Sequence, residues 1–457
     1  MEAVGKYLEG HAEPEVRLAP FVAGTYRRAL VVPACREEPS LLDGYVTAAQ
    51  TSGGQTLAVL VVNGADDAPP DVAAANVAFL DALRGRLKRV RDLPGPPTAF
   101  LGTLPRASLD VLVIDRASPG AEVPRKEGVG LARKIGLDLA LALHESGRVE
   151  SRVLYGTDAD ATLPDAFFDR PDLDDRPGVA AAVFPFWHDA SDDLALSEAT
   201  ALYELSLRYY VEGLAWAGSP YAFHTLGSAT AVVAGAYAAV RGAPKREAAE
   251  DFYLLNKIAK VGAVVRAPGA PVRLRSRRSD RTPFGTGAAV SAALSGDPPR
   301  FHAPECFVAV KTTIELLDEF AADADVARFF QGVNERLGAA SEPARRLLTE
   351  LGAEAAFAAA ATEAKTEDAR RRRVHTWFDA FRTLKLVHAV EEHAFPRLTA
   401  EDAFARAPFT TGIRDVDRAA DPLCVAPRVA LARSEAESAS TAREAVHRLL
   451  AGPTVSR

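Results

Sequence analysis

Apolar positions in the first third of the chain fall in short runs separated by longer segments with helical spacing. Arg28–Val32, Leu57–Val62, Leu109–Ile114 and Val153–Tyr155 have the length and content of buried strands. Between them Ser40–Ala49, Asp71 to about Arg91 and Gly128–His144 carry helical patterns, the first capped by Ser40. Pro33 sets the turn that closes the first strand. Strands alternating with helices predict βαβ units, and so an α/β fold with a mainly parallel sheet covered on both faces. A polar segment follows each run: Pro33–Glu37, Asn63–Asp67, Asp115 and Asp158–Asp160. In a parallel sheet all four share the carboxyl edge, where ligands gather.

After Asp160 the pattern changes. Val179–Pro185, Ala229–Val233 and Ala263–Arg266 read as strands, and Leu194–Ala217 and Arg246–Val261 as helices. Pro271–Gly287 is a basic segment with the Pro and Gly content of a loop. From about Cys306 the chain is helical almost throughout, ending in a helix over Ala442–Leu450. Trp377, Phe381, Leu384 and His388, with Phe378 and Val387 beside them, fall on one helical face and predict a packed core stripe. The expected division is an α/β region over residues 1–300, split near 160, and a helical region over 301–457.

Composition narrows the function. The chain has 457 residues, enough for two or three domains, with 48% apolar and 25% charged residues. Its net charge of −7 lacks the basic surplus of a nucleic-acid footprint. Cys35, Cys306 and Cys424 are odd in number and widely spaced, which predicts a reducing, cytoplasmic setting without disulfides. No run reaches the ~18 to 20 apolar residues of a membrane span, and the N-terminus lacks a signal-peptide core. The helical half is a candidate surface for self-association.

The candidate chemistry starts at Asp158-Ala159-Asp160. Two carboxylates two residues apart after a buried strand can share a hard cation such as Mg²⁺ or Mn²⁺, with substrate phosphate completing the shell. A turn with Asx hydrogen bonds is the alternative. Glu250 and Asp251 form an acidic pair near a helix start, which the helix dipole alone would favour. Arg277, Arg278 and Arg281 concentrate positive charge in the basic segment, and Arg gives bidentate phosphate contacts.

Taken together, four motifs resemble those of family 2-type glycosyltransferases of the GT-A fold. Val31-Val32-Pro33-Ala34-Cys35-Arg36-Glu37 resembles their opening strand and loop, and Gly128–Gly136 their Ala-Arg-Asn-x-Gly helix. Asp158-Ala159-Asp160 resembles their Asp-x-Asp metal motif, and Glu250-Asp251-Phe252-Tyr253-Leu254 the Glu-Asp motif that opens their acceptor-side helix. The order and approximate spacing match across residues ~28 to ~287.

The resemblance implies a nucleotide-diphosphate sugar as donor and a hydroxyl acceptor of unspecified identity. Asp158 and Asp160 would hold Mg²⁺ or Mn²⁺ against the diphosphate. Arg133 or Lys134 would add a donor to phosphate or base. Pro33, Glu37 and Asn63 would receive the nucleoside, although Asn63 stands where many relatives carry Asp. Arg278 and Arg281 would cover the diphosphate, and His302 could complete the metal shell. Asp251 would be the general base, with Glu250 orienting the acceptor, giving inversion. Aromatic segments at Phe184–His188 and Tyr221–His224 are acceptor-pocket candidates. Some enzymes of this fold retain configuration on small acceptors, so the stereochemistry stays open. A nucleotidyltransferase is disfavoured because Pro33–Glu38 lacks glycine, and a processive synthase because neither a Gln-x-x-Arg-Trp motif nor a membrane span is present. A non-catalytic nucleotide-sugar-binding or scaffold protein is the rival from another class.

Overall fold

The computed structural model describes residues 2–169, 173, 176–189, 191–267, 269–278 and 285–410. These gather into two compact units. One holds the chain up to Asp189 together with Thr225–Ser276. The other holds 191–224, Arg277 and Arg278, and 286–410.

The first unit runs α1 (Glu2–Gly10), β1 (Arg28–Ala34), α2 (Asp43–Thr51), β2 (Thr56–Asn63), α3 (Pro70–Arg86), β3 (Lys88–Leu93), β4 (Ala99–Thr103) and β5 (Leu109–Arg116). It continues through α4 (Gly128–Glu145), β6 (Val153–Gly156), β7 (Ala161–Thr162), β8 (Val179–Val183) and β9 (Phe186–His188). After α5 (Leu194–Trp216), which lies in the second unit, it resumes with β10 (Thr230–Val233), α6 (Ala234–Ala239), α7 (Glu250–Ile258), β11 (Ala263–Arg266) and β12 (Val272–Leu274).

Nine strands form one sheet in the order β11-β8-β10-β6-β1-β2-β5-β4-β3. It is mixed rather than mainly parallel. β5, β2, β1 and β6 run parallel. β10 is antiparallel to both neighbours, and β3 and β4 complete an antiparallel meander with β5. The links from β3 to β4 and from β4 to β5 are too short for a parallel crossover. The strand β3 replaces the last turn expected of the helix from Asp71, which stops at Arg86. Its sequence, Lys88-Arg89-Val90-Arg91-Asp92-Leu93, is mostly exposed at the sheet edge and carries no apolar run.

Helices cover both sides of the sheet. Val31 packs on Gly136 of α4. Arg28, three residues back and so on the opposite face, reaches the end of α2 through the Ser52 carbonyl. A second, three-stranded sheet joins β7, β12 and β9.

Three local expectations need correction. Pro33 lies inside β1, in register with Val61, rather than in a turn. Val31 O accepts from Thr157 N on the β6 side. By the two-residue period, the missing N–H of Pro33 faces that side beyond the last β1–β6 pair, so no ladder bond is lost. Ser40 is exposed in a 3-10 turn over Pro39–Leu42, and α2 starts at Asp43 without a side-chain cap. The helix expected from Arg246 begins at Glu250, because Ala249 sits at φ +59° in the left-handed region.

The second unit continues with α8 (Thr286–Leu294), α9 (Pro304–Asp323), α10 (Val326–Arg336), α11 (Ser341–Glu350), α12 (Ala353–Glu363), α13 (Glu367–Trp377), α14 (Ala380–His393) and α15 (Ala400–Arg406). Asp325, Thr366, Asp379 and Thr399 cap α10, α13, α14 and α15 through backbone N–H groups. The stripe from Trp377 to His388 is interrupted, since the chain breaks at Phe378 and Asp379 caps a new helix. The buried positions of α14 are Ala380, Thr383, Leu386, Val387 and Val390, and His388 is exposed. The expected helix over 442–450, and Cys424, lie outside the described residues.

Candidate functional site

The parallel strands bring their polar ends to one edge of the first unit. β1 leads to Cys35, Arg36 at φ +54° and the half-buried Glu37. β2 ends at Asn63, 9% exposed, in register with Arg116 of β5. Asp115 spends its Oδ1 on the N–H groups of Ala117 and Ser118, so it shapes its own loop. Asn76, fully buried on α3, ties two of these ends together. Its Nδ2 donates to Asn63 O at 3.3 Å and its Oδ1 accepts from Arg36 N at 2.8 Å. Nothing in the helical pattern around Asn76 marks that role.

β6 delivers the Asp pair. Thr157 is fully buried, its hydroxyl donating to Ser228 O at 2.9 Å, and Asp158 and Asp160 are half-buried beyond it. Beneath them lies Tyr45 of α2, whose hydroxyl donates to Asp158 O at 3.2 Å. Burial, then the charges of Asp160, Asp158 and Glu37, push this phenol well above its ordinary pKa. The charges of three carboxylates are therefore felt at one hydroxyl.

Arg133 is the centre of the arrangement. Its side chain is 4% exposed. Nη2 donates to Asp158 Oδ1 at 2.6 Å, Nε to Glu250 Oε1 at 3.0 Å and Nη1 to Gly227 O at 3.2 Å. Burial alone would lower the guanidinium's proton affinity, but Asp158 and Glu250 outweigh it and hold the group charged. The planar fork needs room. A Cβ at Gly227 would collide with Nη2. Gly130 lets α4 approach the 244–246 segment, since its Cβ would meet Arg246 N at 2.5 Å.

Asp251 stands beside this network. Its Oδ2 accepts from Gly227 N at 2.8 Å and its Oδ1 from Phe252 N at 2.7 Å. Burial and the adjacent Glu250 push its pKa up to about 7, against the lowering effect of Arg133 and the Phe252 N–H. A small, mainly apolar cavity bounded by Leu137, Leu154, Leu254 and Leu255 abuts Arg133 and Asp251.

The basic segment meets the Asp pair through the small sheet. β12 pairs with β7, and Arg275 N donates to Asp160 O at 3.4 Å. Arg273 is taken up by Asp189 at 2.7 Å. Arg275 is exposed and has no ion-pair partner among the described residues. Its position follows from the alternation Val272, Arg273, Leu274, Arg275, which places every second residue outward.

Other expected residues have other partners, belong to the second unit or lie outside the described residues. Lys134, next to Arg133, is a correction: it points into a separate buried cluster. Its Nζ donates to Tyr7 Oη at 2.6 Å, Asp138 Oδ2 at 2.8 Å and His11 O at 3.0 Å. An ammonium has three donors, so none is left for a ligand. Arg278 is exposed and groups with the second unit, and Arg281 lies outside the described residues. His302, also in the second unit, pairs with Glu391 at 2.6 Å. Phe184 and Phe186 are core residues of the first unit, and Tyr221 and Phe223 are buried in the second.

The oxygen donors of Asp158 and Asp160 suit a hard divalent cation that keeps waters and shares substrate phosphate. A closed protein cage is not formed, since no three His, Cys, Asp or Glu side chains group around a metal position among the described residues. Asp158 is 36% exposed, and its Arg133 bond uses Oδ1.

Comparison with known proteins adds little to this geometry. No family model matches the chain, and no curated protein does. Among solved structures, one described as the crystal structure of a mycobacterial protein aligns over 63% of this chain and 80% of its own, at 14% identity and a TM-score of 0.30. A likeness that slight carries no functional argument, and the site's own chemistry has to carry it.

Proposed function

We propose that this protein is a glycosyltransferase of the GT-A type, moving a sugar from a nucleotide-diphosphate donor to an acceptor hydroxyl with inversion. The observation that carries this reading is the meeting of three carboxylates at Arg133. Asp158, from the end of β6, and Glu250, from the start of α7, share one buried guanidinium, with Asp251 beside them. Donor-side and acceptor-side groups far apart in the chain thus stand in one cluster.

In this scheme Asp158 and Asp160 hold Mg²⁺ or Mn²⁺, which when bound supplies Lewis-acid stabilisation to the departing diphosphate. Arg275, tied by its backbone to Asp160, supplies a guanidinium for the phosphate oxygens; Arg278 and Arg281 are further along the same basic segment. Glu37 and Asn63, at the ends of β1 and β2, receive the nucleoside. Asp251 takes the proton of the acceptor hydroxyl. Its pKa of about 7 suits a general base at neutral pH, and its two backbone N–H bonds hold the carboxylate in place. Glu250, buried and paired, keeps the start of α7 against Arg133.

A thermal-shift screen of nucleotide sugars with Mn²⁺ tests the proposal. A ligand at 100 times its dissociation constant stabilises the native state by about 2.7 kcal/mol, so a true donor raises the melting temperature by several degrees. Absence of any shift across the uridine, guanosine, adenosine and thymidine diphosphate sugars would overturn it. With the donor in hand, the anomeric configuration of the product checks inversion.

A further inference from the structure

We infer that Arg133 is a positioning residue through which the cation site and Glu250 influence each other, which presupposes the metal role proposed for Asp158. The guanidinium is buried and donates to Asp158, Glu250 and Gly227 O. It cannot relax into solvent, since its side chain is 4% exposed and Gly227 closes on it. A cation drawing on the Asp158 carboxylate competes with Nη2 for negative charge. Whatever Asp158 withdraws from Arg133 must be supplied by Glu250, because a buried charge without partners is costly. The grip of Glu250 on Nε therefore eases cation binding at Asp158. By reciprocity, a cation at Asp158 tightens the Arg133–Glu250 bond at the start of α7, where Asp251 is the next residue.

Mn²⁺ alone, titrated into the full chain and followed by electron paramagnetic resonance, reads the coupling without any turnover. Glu250→Asp keeps the negative charge but withdraws it by one methylene, so the bond to Nε is lost. It is expected to weaken Mn²⁺ binding about fivefold or more, close to the effect of Glu250→Gln. If Glu250→Asp binds Mn²⁺ like the wild type, Glu250 acts at most through space and the coupling is overturned. A double-mutant cycle with Arg133→Lys adds a second reading, because an ammonium cannot span both carboxylates in the fork geometry. In the Lys background the Glu250→Gln loss should shrink to less than half its logarithmic size; equal losses in both backgrounds overturn the coupling. Asp158→Asn separates this from the parent proposal. Undiminished Mn²⁺ binding in Asp158→Asn removes the metal role itself, whereas lost binding there with an unaffected Glu250→Asp removes the coupling alone.

Discussion

At Asp251 burial and the adjacent Glu250 oppose the carboxylate while Arg133 and the Phe252 N–H stabilise it, and the balance leaves its pKa at about 7. As the proposed general base, Asp251 would work only when deprotonated. kcat/KM should therefore rise about tenfold per pH unit in acid and flatten above about 7. The same shift bears on stability with the opposite sense. The native state holds this proton more tightly than the unfolded chain, so the group's contribution is full in acid and declines as pH climbs towards about 7. Asp251→Asn should lower turnover by about 10² to 10⁴-fold while leaving Mn²⁺ affinity near wild type, measured by initial rates and by metal titration. Tyr45→Phe removes one hydrogen bond under the Asp pair. About 1 kcal/mol is at stake, so Mn²⁺ affinity should fall about fivefold with the melting temperature little changed. The places of these carboxylates in the fold were legible in the sequence, since Asp158 and Asp160 follow strand β6 and Glu250 and Asp251 open α7. The choice between Arg133 and Lys134 was not. Adjacent helical residues point about 100° apart, and only the packing of α4 shows that one faces Asp158 and the other Asp138.

Helix α4 is held where it is by absence of side chains. At Gly130 the obstacles to a Cβ are the backbone atoms of Arg246 and Pro244, which cannot rotate away. Gly130→Ala should destabilise the protein by about 1 to 3 kcal/mol, read by urea denaturation, and should weaken Mn²⁺ binding as Arg133 shifts. The start of α7 offers the reverse case. Ala249 at φ +59° accepts a left-handed conformation that costs an L-residue about 1 kcal/mol, so Ala249→Gly should be neutral to stabilising by up to about that amount. Strands β1, β2, β5 and β6 could be read from the sequence because burial on both faces makes them continuous apolar runs. Strand β3 could not, being an exposed, charged edge, and β7, β9 and β12 are too short for any period to register. Yet β12 and β7 are what bring Arg275 to the Asp pair.

Across the whole first unit, a second buried cluster secures the framework behind the site. Asp138 is fully buried and accepts from Tyr7, Tyr237, Lys134 and Glu13 N, joining α1, α4, α6 and the segment that follows α1. Asp138→Asn would leave the buried Lys134 charge facing Glu13 at 4.0 Å in place of its close partner, costing about 3 kcal/mol, measurable as a lower urea midpoint. The Arg133 cluster has a different consequence, one of timing. Its partners are spread from Asp158 to Glu250, and the chain leaves the first unit after Asp189 and returns only at Thr225. Contacts of such separation form slowly, because a long loop must close before they repay it. During synthesis Arg133 and Asp158 emerge together, while Gly227 and Glu250 arrive many residues later. The ability to bind Mn²⁺ should therefore appear in refolding after the bulk of the secondary structure, as a slower phase than the recovery of far-ultraviolet circular dichroism.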